Sequence, residues 1–127
     1  MKYFLILLSI FFPPEAFAAD TYLCVGEAGA GVEHGGNKGI HAETYNVSNK
    51  KYILSNERGM WKFRELGEDL SHLECSSEFY CEGKGGFSAI FFKDKNSGIF
   101  TYIYLVMLDE KFSHQFIYTI KGRCSKL

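Results

Sequence analysis

Proline is nearly missing from this chain. The two prolines are Pro13 and Pro14, and no proline follows them. That excludes rigid proline-rich linkers and polyproline recognition segments from the remainder. An excess of one charge is also lacking: 14 Lys and Arg stand against 15 Asp and Glu, a net charge of −1. A chain without a basic surplus has little with which to displace counterions from a phosphate backbone, so nucleic acid is not an expected partner. Long apolar runs are absent. The one at residues 3–12 is interrupted only by Ser9 and falls short of the ~18 residues that span a bilayer. Catalytic signatures are absent as well. There is no G-x-S-x-G, no H-E-x-x-H and no G-x4-G-K-[ST], and Gly29-x-Gly31-x-x-His34 lacks the third glycine of a dinucleotide loop. The chain reads as a non-enzyme with no cofactor and no catalytic residue.

What is present begins with an export signal. Lys2 supplies a short positive region, the apolar run follows, and Ala16-Phe17-Ala18 is a small-x-small cleavage site. Residues 1–18 are expected to be removed, leaving Ala19 or Asp20 first and a single β domain over residues 19–127. The cleaved part carries one basic and one acidic residue, Lys2 and Glu15, so the charge balance is unchanged. No integral membrane segment then remains. Leu23 before Cys24, and the early end of the apolar run, speak against lipidation of that cysteine. The destination is the periplasm or the medium.

The four cysteines, Cys24, Cys75, Cys81 and Cys124, all lie beyond the signal, as suits disulfides formed in an oxidising compartment. Four cysteines allow three pairings. Cys75 with Cys81 and Cys24 with Cys124 fits a meander whose first and last strands meet. The rival pairs Cys24 with Cys81 and Cys75 with Cys124. The spacings suit neither a redox motif nor a C-x2-C zinc pair.

Twelve Phe, eight Tyr and thirteen Gly favour strands joined by glycine turns. Strands are expected near residues 21–25, 40–45, 51–55, 60–66, 72–75, 79–82, 87–93, 99–108 and 115–122. These nine short stretches, counted as about eight strands, make an all-β antiparallel meander closed as a small barrel or folded as a sandwich. Residues 26–39 hold six glycines and read as a mobile loop or irregular connection. Both faces of 99–108 are apolar or aromatic, so that strand should be central or covered. Trp61 shares a face with Phe63 and is expected to be buried.

Candidate site residues are few. The turn of Lys93, Asp94, Lys95, Asn96, Ser97 and Gly98 has the length of a hairpin connection and is the candidate interaction loop. His34 and His41, near Glu33 and Glu43, offer metal donors, but solvated loop and strand histidines account for them, and no metal site is expected. Glu65, Glu68, Asp69, Glu74, Glu78 and Glu82 form an acidic stretch that reads as a solvated face. Tyr22, Phe100, Tyr102, Tyr104, Phe116 and Tyr118 line one side of the sheet, either as filled core or around a small cavity.

Tyr22-x-Cys24 after the signal, Trp61, the central cysteine pair and the closing Gly122-x-Cys124-x-x-Leu127 resemble a group of small secreted bacterial proteins of unassigned function. That resemblance implies a secreted β-rich fold and supplies no catalytic residue. A looser likeness is to the periplasmic inhibitors of C-type lysozyme, which are similar in size, in the early Y-x-C and in their compact eight-stranded barrel. Their inhibitory loop carries S-G-x-x-Y. Here Ser97-Gly98-Ile99-Phe100-Thr101-Tyr102 has the Ser-Gly, with the tyrosine one position late. The expected function is a non-enzymatic binding or interaction module, its partner unidentified, with a protein of the envelope or medium as the candidate. The alternatives are a lysozyme inhibitor and a small hydrolase.

Overall fold

A computed structural model of the chain describes residues 20–34, 36–85, 88–107 and 115–127. The expected signal at residues 1–18 lies outside them. Among the described residues, nine antiparallel strands form one sheet: β1 (Thr21–His34), β2 (Ile40–Tyr45), β3 (Lys51–Glu57), β4 (Met60–Glu65), β5 (Leu73–Ser77), β6 (Tyr80–Gly83), β7 (Ala89–Lys93), β8 (Ile99–Met107) and β9 (Gln115–Lys126). The order is β4-β3-β1-β9-β8-β7-β6-β5, with β2 also on β1. Strands β3 and β2 take successive stretches of one edge of β1, Thr21 to Val25 and then Gly29 to His34. The nine strands correspond to the nine expected stretches and build eight staves. Strand β5 comes round to β4 without a ladder; the Ser71 hydroxyl donates to the Phe63 carbonyl across the seam. The sheet is a nearly closed barrel rather than a sandwich.

One sequence expectation fails here. Residues 26–34 are not a loop but the second half of β1, paired with β9 on one side and, from Gly29, with β2 on the other. Glycine normally weakens a strand, and here its missing side chain makes room. A Cβ on Gly29 would stand 2.4 Å from a methyl of Val47, which is buried in the β2–β3 connection. A Cβ on Gly122 of β9 would stand 1.9 Å from the Val25 carbonyl. The glycines let neighbouring backbone and the Val47 plug close on the wall. Composition alone does not separate that use from a loop.

The barrel fills with inward residues at alternate positions, Leu54, Phe63, Phe91, Phe100 and Ile120 among them, all essentially buried. Phe63 is the hub, with ring centroids 4.9 Å from Tyr52 and 4.2 Å from Phe91. Trp61, expected to be buried, is only half-buried. It sits at the start of β4 beside the Arg58–Gly59 turn, where the barrel opens, with its ring 6.1 Å from Tyr22.

Both disulfides follow the local-plus-terminal pairing, Cys24–Cys124 and Cys75–Cys81. Each joins residues directly opposite in a ladder. They close sequence separations of 100 and 6 residues. On the chain-entropy account, removing the long one by a double Cys→Ala change should cost about 4–5 kcal/mol and the short one about 2 kcal/mol. Chemical denaturation of the two double variants checks the ranking, and equal losses would contradict it.

Candidate functional site

The wall has two outer sides of opposite character. On β3 and β4 the outward positions carry Lys62, Arg64 and Glu57, with Lys62 Nζ 3.0 Å and Arg64 Nη1 3.8 Å from the Glu57 carboxylate. On β6 to β9 and the upper half of β1 the outward positions are largely apolar. The ladders set them in rows. Tyr80 faces Phe92, Ile90 faces Ile103, and Leu105 faces Ile117, which in turn faces Val32. Phe92 is 43% exposed, and Ile117 and Val32 are each 52% exposed. At ~4.8 Å per strand this face is roughly 20 Å across. Polar residues end these rows: Glu82 opposite Ile90, Thr119 opposite Ile103, and Thr101 then Lys121 beyond Phe92. Among the described residues nothing covers it. β8 is thus central, as its two apolar faces imply, but its outer face is open.

The expected interaction loop connects β7 to β8 beside this face. It is held in one shape. The Asp94 carboxylate accepts from the Asn96 amide, the Ser97 amide and the Ser97 hydroxyl at 2.8–3.1 Å. Gly98, at φ +70°, takes the left-handed turn conformation, and its carbonyl accepts from the Cys124 amide. The amide and hydroxyl of Ser97 hold the Asp94 carboxyl below its ordinary pKa. Asp94, Lys95, Asn96 and Ser97 are exposed and Gly98 half-buried. Lys93 is different. Its side chain is only 5% exposed, with Nζ 2.9 Å from Glu78 Oε2 and 3.5 Å from the Tyr22 ring centroid. It anchors the loop from inside the wall.

The inner face carries a run of phenols. Tyr45, Tyr118, Tyr104, Tyr102 and Tyr52 follow one another with ring centroids 4.7–5.5 Å apart. Burial pushes the Tyr102 hydroxyl up to about 12 and raises Tyr52 and Tyr104 as well, so all three stay protonated donors. They line a cavity of about 270 Å³ together with Lys50, Glu65 and His72. This is small beside the ~300 Å³ and more of ordinary ligand pockets. Tyr102, Tyr104, Phe100, Phe116 and Tyr118 share this inner side as the alternation predicts, and so does Tyr22, which stands at the opposite end of the barrel against Lys93.

The acidic stretch does not converge. Glu65 pairs with Lys50 and Glu78 with Lys93, while Glu74 and Glu82 face each other across β5 and β6. His34 points away from Glu33 and His41 by strand alternation, and His114 lies outside the described residues. His41, Glu33 and Glu43 do meet. The exposed outer row of Ile90, Phe92 and Ile117 escapes sequence reading, because a two-sided apolar strand looks the same whether its second face is covered or open. Comparison with protein-family models, curated proteins and solved structures finds no match.

Partial burial works against an ionised Glu78, but the Lys93 ammonium and the Tyr22 hydroxyl outweigh it and hold its carboxyl below the ordinary 4.5. A depressed carboxyl stabilises the fold above its unfolded pKa and loses that contribution as pH falls through the folded one. Lys93→Met should therefore cost about 2 kcal/mol at neutral pH, since it leaves Glu78 without its ammonium. The gap to wild type should narrow as the pH drops below 4.5. Urea denaturation across that range measures it.

Proposed function

We propose that this protein is an exported, non-enzymatic interaction module that docks a partner protein of the periplasm or the medium on the outer face of β6 to β9 and β1. The export signal, two disulfides and the lack of any helix among the described residues long and apolar enough to cross a membrane fit that location. The observation that carries the reading is the apolar outer surface of exposed Phe92, Ile90, Ile117 and Val32 with half-buried Ile103 and Leu105 between them. Contiguous exposed apolar surface of this extent marks protein contact. A barrel lying in lipid would need an apolar girdle all round. Lys62, Arg64 and Glu57 occupy the outer face of β3 and β4, which favours a one-sided protein contact instead. Aromatic and aliphatic residues at the centre with charges at the rim are the usual anatomy of such an interface.

Site-specific photo-crosslinking in the producing cell tests the reading. A photo-reactive phenylalanine at position 92 or 117 should give a discrete adduct of defined mass, and the same group at position 62 should give none. Ile103→Lys with Ile117→Lys should abolish the adduct from position 92 while changing stability by no more than about 1 kcal/mol. Adducts equal at all three positions, or absent from all, overturn the proposal. An adduct of twice the chain mass would identify the partner as a second copy.

A second reading rests on the β7–β8 turn. A loop locked by Asp94, and bonded through the Gly98 carbonyl to Cys124, can enter an enzyme cleft with little loss of conformational entropy. This favours inhibition of a C-type lysozyme through Ser97 and Gly98. Under it, the processed protein inhibits lysozyme at micromolar concentration and Asp94→Ala weakens inhibition about tenfold, the equivalent of one to two lost hydrogen bonds. Absence of inhibition removes this reading and leaves the first untouched.

A further inference from the structure

The upper half of β1 pairs with β2 as well as with β9, and the inner face of this β1–β2 hairpin carries three donors brought together by register alone. Glu33 lies directly opposite His41, and Glu43 is two residues further along β2, opposite Gly31. His41 Nε2 is 3.3 Å from Glu33 Oε2 and 3.4 Å from Glu43 Oε1. The side chains are 20%, 31% and 36% exposed in the order His41, Glu33, Glu43, so the cluster is sheltered but open to solvent on one side.

A second observation fixes the chemistry. His41 Nδ1 is 3.1 Å from the Gly39 carbonyl oxygen. A carbonyl only accepts, so Nδ1 carries the hydrogen, and in neutral imidazole Nε2 then presents its lone pair. That lone pair faces two carboxylates. An imidazole lone pair converging with two carboxylates is a donor set for a metal cation. The observed 3.3 and 3.4 Å match the ~3.4 Å edge of a tetrahedron with metal bonds of ~2.1 Å. A metal-bound histidine typically donates its other ring N–H to a backbone carbonyl, and here Gly39, turned by its φ of +64°, provides it.

The geometry points to a binding site for one divalent transition-metal ion of the zinc class, held by His41 Nε2, one Glu33 oxygen and one Glu43 oxygen, with a fourth position open to water or an external ligand. One imidazole with two carboxylates suits zinc and its neighbours, and offers too few oxygens for calcium. Lys38 Nζ lies 3.3 Å from the same Glu43 oxygen and competes for it. That lysine is 71% exposed, and an exposed pair of this kind is weak enough to yield. The site stands on the inner face of the hairpin, apart from the outer apolar face, and does not depend on the proposed docking.

Titration of the processed, disulfide-intact protein with zinc chloride after chelator treatment tests it, with circular dichroism to check that each variant is folded. One zinc per chain should bind, and cobalt should give the visible absorption of a four-coordinate ion. His41→Ala should abolish the site, and Glu33→Gln and Glu43→Gln should each weaken binding by at least about tenfold. His34→Ala, altered on the opposite face, should bind as wild type. The proposal is overturned if zinc does not bind stoichiometrically, if the folded Glu33→Gln and Glu43→Gln proteins both keep wild-type affinity, or if His34→Ala loses the metal.

Discussion

The pairing of β1 with β9 is the constraint on which the rest of the structure hangs. It joins the first described strand to the last, from Tyr22 opposite Lys126 to His34 opposite Gln115, and Cys24–Cys124 locks it near one end. Bringing such distant segments together carries a large loop-closure entropy, which the covalent link removes from the unfolded chain. Once the pair exists, β1 offers its free edge to β3 and β2, and β9 offers its own to β8. The remaining strands then follow as short hairpins.

The same pairing explains the glycines. Two long neighbouring strands with large side chains throughout would leave no space for the β2–β3 connection, yet Val47 is buried against Gly26 and Gly29. At Gly122 the Val25 backbone comes closer than any side chain allows. Aromatic rings fill what remains, stacked through Phe63 and along the phenols of β8 and β9. The interior is thus a packed core at one end and a small phenol-lined cavity at the other.

The outside is divided by the staves. Charged side chains gather on β3 and β4 and apolar ones on β6 to β9, although both sets alternate with core residues in the same way. An all-round polar coat would be expected of a barrel that meets only water. The open apolar side, the fixed β7–β8 turn and the donor cluster of the β1–β2 hairpin are three distinct surfaces, each built from short-range register on a frame that long-range pairing sets.

Much of this was legible in the chain itself. Alternation located the strands, the absence of proline beyond Pro14 agreed with an uninterrupted sheet, and the cysteine positions favoured the two bonds that form. Asp94 and Gly98 marked the turn they hold. Local periodicity carries that information because a strand shows its two faces every second residue. What it omits is what lies against each face. Residues 26–34 look like a loop until β9 and β2 pair with them, Trp61 looks buried until the start of β4 places it beside the Arg58–Gly59 turn, and Lys93 looks like surface until Glu78 and Tyr22 close over it. Glu33, His41 and Glu43 become one cluster only through the register of β1 on β2. Composition and spacing are properties of the chain, whereas burial and convergence are properties of pairs of segments, and only the closed sheet decides which segments meet.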